Sequence, residues 1–133
     1  MQRIEAVKRE GVEPMVEGCM RGYFSEDFAS ANAELMDWMR EMIRGTSPMG
    51  VIGCSHALSA HNYSPRLHEI SVPTIIIVGE NDEGTPVSES REMLERIPNA
   101  RMVVLPEAKH ISNMERDTEF NEALLGFLSE VEG

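Results

Sequence analysis

Asp82 and His110 are the side chains whose types and spacing carry chemistry. Gly79-Glu80-Asn81-Asp82 closes one apolar run, and Ala108-Lys109-His110 follows the next, with 28 positions between acid and histidine. Such a carboxylate accepts a hydrogen bond from one imidazole nitrogen and fixes its tautomer. The other nitrogen is then ready to take the proton of a serine hydroxyl. Glu80, Asn81, Glu83 and Gly84 around Asp82 also permit a plain strand-capping turn. His110 arrives one helix and one strand later, which places both residues at one sheet edge and favours the relay.

No nucleophile accompanies them. Ser55, in Gly53-Cys54-Ser55-His56-Ala57, imitates a degraded G-x-S-x-G. An elbow of that kind needs a strand before the serine and a helix after it. Ser55 instead falls inside a helix opened by Ser47-Pro48, and reads as an ordinary cap residue. Cys19 and Cys54 sit in apolar helical patterns and read as buried free thiols, neither nucleophiles nor a disulfide framework. His56, His61 and His68 have no ligand spacing on one helical face, and Glu80, Asp82 and Glu83 form a solvated acidic turn. No metal and no cofactor is implied. Trp38, in a methionine-rich stripe, either packs in the core or lines a substrate pocket.

The elements that would position these residues follow from periodicity. Val12, Met15, Val16, Cys19, Met20 and Tyr23 form one helical stripe, with Pro14 in its first turn. Leu35, Trp38, Met39, Met42 and Ile43 form a second, ended near Gly45, and a third helix runs from Pro48 to about Ala60. After Pro65 the pattern changes. Val72-Pro73-Thr74-Ile75-Ile76-Ile77-Val78 is a β-branched apolar run, as in a parallel strand covered on both faces. A helix over 87–97, a strand over 101–105 and a last helix through Phe120 to Val131, with Asp117 as its N-cap, complete a parallel crossover unit. The division falls into a helical segment, 1–66, and a β-α-β-α segment, 67–133.

Composition narrows the classes. A net charge of −11 over 133 residues argues against nucleic acid and anionic membrane surfaces, both of which need a basic face. The N-terminal residues lack the apolar core of a signal peptide, and no run approaches a bilayer span. A cytoplasmic protein is the expectation.

With those residues in view, the chain resembles the C-terminal part of an α/β-hydrolase, in particular the 3-oxoadipate enol-lactonase group. The resemblance runs through 73–82, Thr85-Pro86, Ile97-Pro98-Asn99-Ala100, His110-Ile111-Ser112-Asn113-Met114-Glu115 and Phe120-Asn121. Residues 1–66 resemble that group's helical cap. Arg21-Gly22-Tyr23-Phe24, Asn62 and Asp117 stand where the group commonly carries Arg-Trp-Phe, an aspartate and a proline. The resemblance implies a partial α/β-hydrolase fold in which Asp82 and His110 are the acid and base of an incomplete triad.

Three functional readings follow. The chain is the C-terminal piece of an ester or lactone hydrolase, a folded remnant without catalysis, or one subunit of a split enzyme. Hydrolases stripped of one triad member retain roughly 10³–10⁴-fold catalysis through the oxyanion hole and binding site. Here the hole is missing with the serine, so the chain is expected to be inactive alone. The exposed edge of its first strand calls for a second copy, as in a homodimer, or a complementing chain.

Overall fold

The computed structural model describes residues 2–132. They form two bodies, one holding the chain up to Arg21 together with Glu26–Asn62, the other Gly22–Ser25 and the chain from Tyr63 onward. Residues 63–66 and the short segment 22–25 therefore group with the C-terminal body.

In the N-terminal body, α1 (Gln2–Glu10) ends at Gly11, whose φ is +71° and whose N–H donates to the Val7 carbonyl at 3.0 Å. Glycine takes this left-handed conformation without a Cβ penalty. The single helix expected from Val12 begins instead with a 3-10 turn, Glu13–Met15, and continues as α2 (Val16–Tyr23). Pro14 has no N–H to give, and Met15 closes the tighter i→i−3 bond to the Val12 carbonyl at 2.9 Å. A short α3 (Glu26–Ala31), absent from the sequence reading, precedes α4 (Ala33–Arg44). α5 (Pro48–Ala60) starts as expected, with Ser47 Oγ accepting from the Gly50 N–H at 3.4 Å.

Val7, Val12, Val16, Met20, Met36 and Met39 are the buried apolar residues of this body. Arg40 and Arg44, one turn apart on α4, reach Glu17 at 2.8 Å and Glu13 at 2.9 Å, tying α4 to the 3-10 turn and α2. Of the stripe expected on α4, Met39 is buried and Leu35 and Ile43 are half-buried, but Trp38 and Met42 are exposed, and Met36, outside that stripe, is buried. Trp38 lies about 200° from Met36 around the helix and is 55% exposed, which corrects its expected place in the core. The buried-thiol expectation is corrected too: Cys54 is exposed and Cys19 half-buried. α5 is apolar around much of its circumference yet buries none of its residues fully, and Met49 and Leu58 on it are exposed.

In the C-terminal body a 3-10 turn, Ser64–Glu69, leads to β1 (Thr74–Gly79). α6 (Val87–Arg96) crosses to β2 (Ala100–Leu105), which pairs with β1 in parallel from Thr74↔Ala100 to Gly79↔Leu105. A single turn, α7 (Ser112–Glu115), and the long α8 (Asp117–Glu132) follow. Asp117 is the first helical residue and not the cap before it, because α7 and α8 are separated only by Arg116, whose carbonyl takes the Phe120 N–H at 2.8 Å. Ile76, Val78, Ile97, Leu105 and Ala108 are buried, with α6 and α8 both packed on the two strands.

The N–H groups of Thr74 and Glu80 go to the Asn99 and Leu105 carbonyls across the ladder. Positions of that parity face β2, so the backbone groups of Ile75 and Ile77 point to the other edge of β1. Among the described residues no strand pairs with that edge. No described helix is long and apolar enough to cross a membrane.

Candidate active site

Two loops leave the carboxyl ends of β1 and β2 and are bound to each other before any side chain is considered. The Glu80 N–H donates to the Leu105 carbonyl at 2.9 Å and the Asn81 N–H to the Ala108 carbonyl at 2.8 Å. The approach is close enough to demand glycine at 79. A Cβ there would fall inside the carbonyl oxygens of Ala108 and Lys109, backbone atoms with no room to retreat. On the far side of the second loop, Glu107 sits at φ 59° while its N–H donates to Glu80 Oε2 at 3.0 Å and its carboxylate takes Arg116 Nη2 at 2.6 Å.

Asp82 emerges from the first loop with only 6% of its surface exposed. Oδ1 accepts from the N–H groups of Gly84 and Thr85 at 2.9 and 3.0 Å. Oδ2 accepts from Thr85 Oγ1 at 2.7 Å and lies 2.8 Å from His110 Nδ1. Burial pushes the Asp82 pKa upward. The bonds from the Thr85 backbone, His110, the Thr85 hydroxyl and Gly84 outweigh it and hold the carboxyl below its ordinary range.

An ionised carboxylate is an acceptor only, so His110 donates through Nδ1, and in neutral imidazole Nε2 is left as the acceptor. Thr85 Oγ1, 3.3 Å from Nδ1, spends its own proton on Asp82. The His110 side chain is 41% exposed, whereas that of Asp82 is 4% exposed. A buried, fully bonded anion behind a partly open imidazole is an arrangement able to move a proton at Nε2.

Three residues at this site carried no assigned role in the sequence. Thr85 supplies two of the four hydrogen bonds to Asp82. Glu115 accepts from the Lys109 N–H at 2.7 Å and the Ser25 N–H at 2.8 Å, so one carboxylate spans the His110 loop and the 22–25 segment. Tyr23 stacks its ring on His110, centroids 5.8 Å apart and planes 20° from parallel. Thr85 and Glu115 both lie within the runs of resemblance, and an Asx-type turn after Asp82 was the available signal for the first. Tyr23 reads in the sequence as part of a helical stripe and of the departure Arg21-Gly22-Tyr23-Phe24, and nothing local pairs it with a histidine 87 positions later.

The other candidates do not join this group. Ser55 lies inside α5, with no strand before it to make a projecting turn. Trp38 belongs to the N-terminal body. Among the described residues no three His, Cys, Asp or Glu side chains converge as metal ligands. A shallow concavity at the amino ends of the strands, opposite the Asp82 end, contains Arg101 already engaged with Glu130 at 2.6 Å and with the Phe127 ring.

Comparison with known proteins identifies the fold. A family profile described as the alpha/beta hydrolase fold matches residues 20–117. The 3-oxoadipate enol-lactonase 2 of Acinetobacter baylyi is 30% identical over 122 residues, covering 92% of this chain and 45% of that protein. The enol-lactonase from Burkholderia xenovorans LB400 superposes with a TM-score of 0.92 at 26% identity, over 96% of this chain and 49% of that one. A thermophilic esterase from Thermogutta terrifontis superposes with a TM-score of 0.86 at 27% identity, over 99% of this chain and 49% of its own. The chain thus spans about half the length of the relatives it matches. What it contains is the helical segment and the two last parallel strands with their helices, a partial version of that fold. The chain belongs to the α/β-hydrolase fold family.

Proposed function

We propose that this chain provides the acid and base of a carboxylic-ester or lactone hydrolase, acting on a serine supplied by a complementing segment. The observation that carries the reading is the 2.8 Å contact between His110 Nδ1 and the buried, multiply bonded Asp82. In the reaction, Nε2 of His110 takes the serine proton as its oxygen attacks the carbonyl carbon, and Asp82 stabilises the imidazolium. Nε2 then gives that proton to the departing alkoxide or enolate, leaving an acyl-serine. Water then gives a proton to Nε2 as its oxygen attacks the acyl carbon, and Nε2 returns that proton to the serine oxygen as the carbon–oxygen bond breaks, releasing the acid and restoring the serine. The enol-lactonase and esterase likenesses support an ester or lactone carbonyl as the substrate class.

On this reading the described residues do not hydrolyse esters by themselves. They hold no serine on a strand-to-helix turn, and the donors of an oxyanion hole ordinarily lie beside that turn. The test is complementation. The chain is mixed with the separately produced amino-terminal half of an enol-lactonase, and hydrolysis of an enol-lactone and an aryl ester is followed. Hydrolysis should arise only in the mixture and disappear with His110→Ala. Turnover by the chain alone, or turnover in the mixture indifferent to His110, refutes the proposal.

Self-association is a second reading, supported by the free edge of β1 and by the exposed apolar residues of α5. An unpaired edge of this kind is a ready template for another strand. A two-fold dimer joined along β1 is the simplest closed assembly.

A further inference from the structure

We infer that Tyr23 is a positioning residue for His110, its ring holding the imidazole in the plane that points Nδ1 at Asp82 and turns Nε2 away. The inference rests on the reading of Asp82 and His110 as acid and base, and concerns how the base is kept ready. A single hydrogen bond fixes one atom of a ring and leaves its plane to the broad, roughly two-fold χ2 torsion of histidine. His110 is 41% exposed at its side chain, and the neighbouring Thr85 hydroxyl gives its proton to Asp82 at 2.7 Å. The face of the imidazole is met by Tyr23 at a centroid distance of 5.8 Å and an interplanar angle of 20°.

The placement of Tyr23 is itself fixed on both sides of the histidine. Its carbonyl accepts from the Ile111 N–H at 3.1 Å, the residue after His110. Glu115 takes the Lys109 N–H at 2.7 Å, the residue before His110, and the Ser25 N–H at 2.8 Å, two residues after Tyr23. Phe24, 2% exposed, lies edge-on to the Tyr23 ring at 6.4 Å and 88°. Segment 23–25 and loop 109–111 are thus joined by one backbone hydrogen bond and one carboxylate bridge around the stacked pair, all within the C-terminal body. An offset aromatic pair of this sort shifts a rotamer population by roughly 2- to 12-fold.

The test reads the imidazole directly and needs no turnover, so its failure and that of the hydrolase reading are separable. Long-range ¹H–¹⁵N spectra of the labelled full chain at pH 8, with His110 assigned through His110→Gln, report tautomer and ring environment. The wild-type chain should show Nδ1 protonated, ring protons moved upfield by the tyrosine ring current, and cross-relaxation between the two rings. Tyr23→Phe should keep all three. Tyr23→Leu should lose the upfield shift and raise the Nε2-protonated share by roughly 2- to 12-fold. A Tyr23→Leu chain with the wild-type tautomer ratio overturns the inference. If that variant does not fold, the wild-type spectrum decides: ring protons without upfield shift or cross-relaxation overturn it equally.

Discussion

His110 Nδ1 lies 2.8 Å from Asp82 Oδ2, across 28 positions of sequence, because the loops after two parallel strands are stitched together by backbone hydrogen bonds. The carboxylate is not merely near the histidine. It is saturated by the Gly84 N–H, both Thr85 donors and the imidazole, which fixes the direction in which the imidazole must donate.

Asp82→Asn tests that saturation. An amide offers one acceptor oxygen where four donors converge, so its NH₂ must face a donor. The neutral imidazole is then driven toward the Nε2-protonated tautomer. In the complemented enzyme, kcat should fall by roughly 10⁴-fold, as for the corresponding change in serine proteases. Stopped-assay rates of the variant against wild type give the answer, and a loss under tenfold contradicts the acid role.

Stability should also depend on Asp82 in acid. Its folded-state pKa is lowered relative to the ordinary 3.8, so the native state binds its proton less readily than the unfolded chain does. The resulting stabilisation is fully present above pH 3.8 and is lost as pH falls through the lowered folded value. Urea midpoints measured from pH 6 down to pH 2.5 should fall less steeply for Asp82→Asn than for wild type. Parallel curves for the two chains contradict the assignment.

Gly79→Ala adds one methyl group at the closest backbone approach in the site. Since the carbonyls of Ala108 and Lys109 occupy that space, loop 108–110 must move outward and take His110 with it. The overpacking should cost about 1–3 kcal/mol of stability, read by denaturant titration. Complemented activity should be lost together with the Nδ1–Asp82 contact.

The free edge of β1 predicts self-association of the isolated chain at micromolar concentration, observed by sedimentation. Ile77→Pro removes an N–H directed at that edge and leaves the ladder bonds of Ile76 and Val78 to β2 in place. It should shift the chain to monomer. A wild-type monomer whose Ile75 and Ile77 amides are protected from exchange shows that the edge is covered from within.

The parallel pair of strands was legible in the chain before it folded. The β-branched run at 72–78, the amphipathic stripe ending at Ile97 and the apolar 101–105 are local signals, because strand and helix periods are local properties of the chain. Asp82 and His110 stood out for the same reason, each just past a strand end. Local pattern was less reliable among the helices. Pro14 turned the start of a predicted helix into a 3-10 turn, and the stripe assigned to α4 held Met39 and Ile43 correctly but took Trp38 and Met42 for inward residues and left out Met36. That error put Trp38 in a core it does not enter.

The surroundings of the Asp82–His110 pair come from packing. Thr85 lies close enough in sequence to be an Asx-turn partner, but its hydroxyl bond to Asp82 depends on the loop's folded path. Glu115 serves two N–H groups from segments far apart in the chain, and Tyr23 meets His110 from the other end of the sequence. Gly79 reads as a strand terminator until the opposing carbonyls are in view. Periodicity records which way a residue faces on its own element. Which residue of another element it meets is set by packing, and packing is a property of the whole fold.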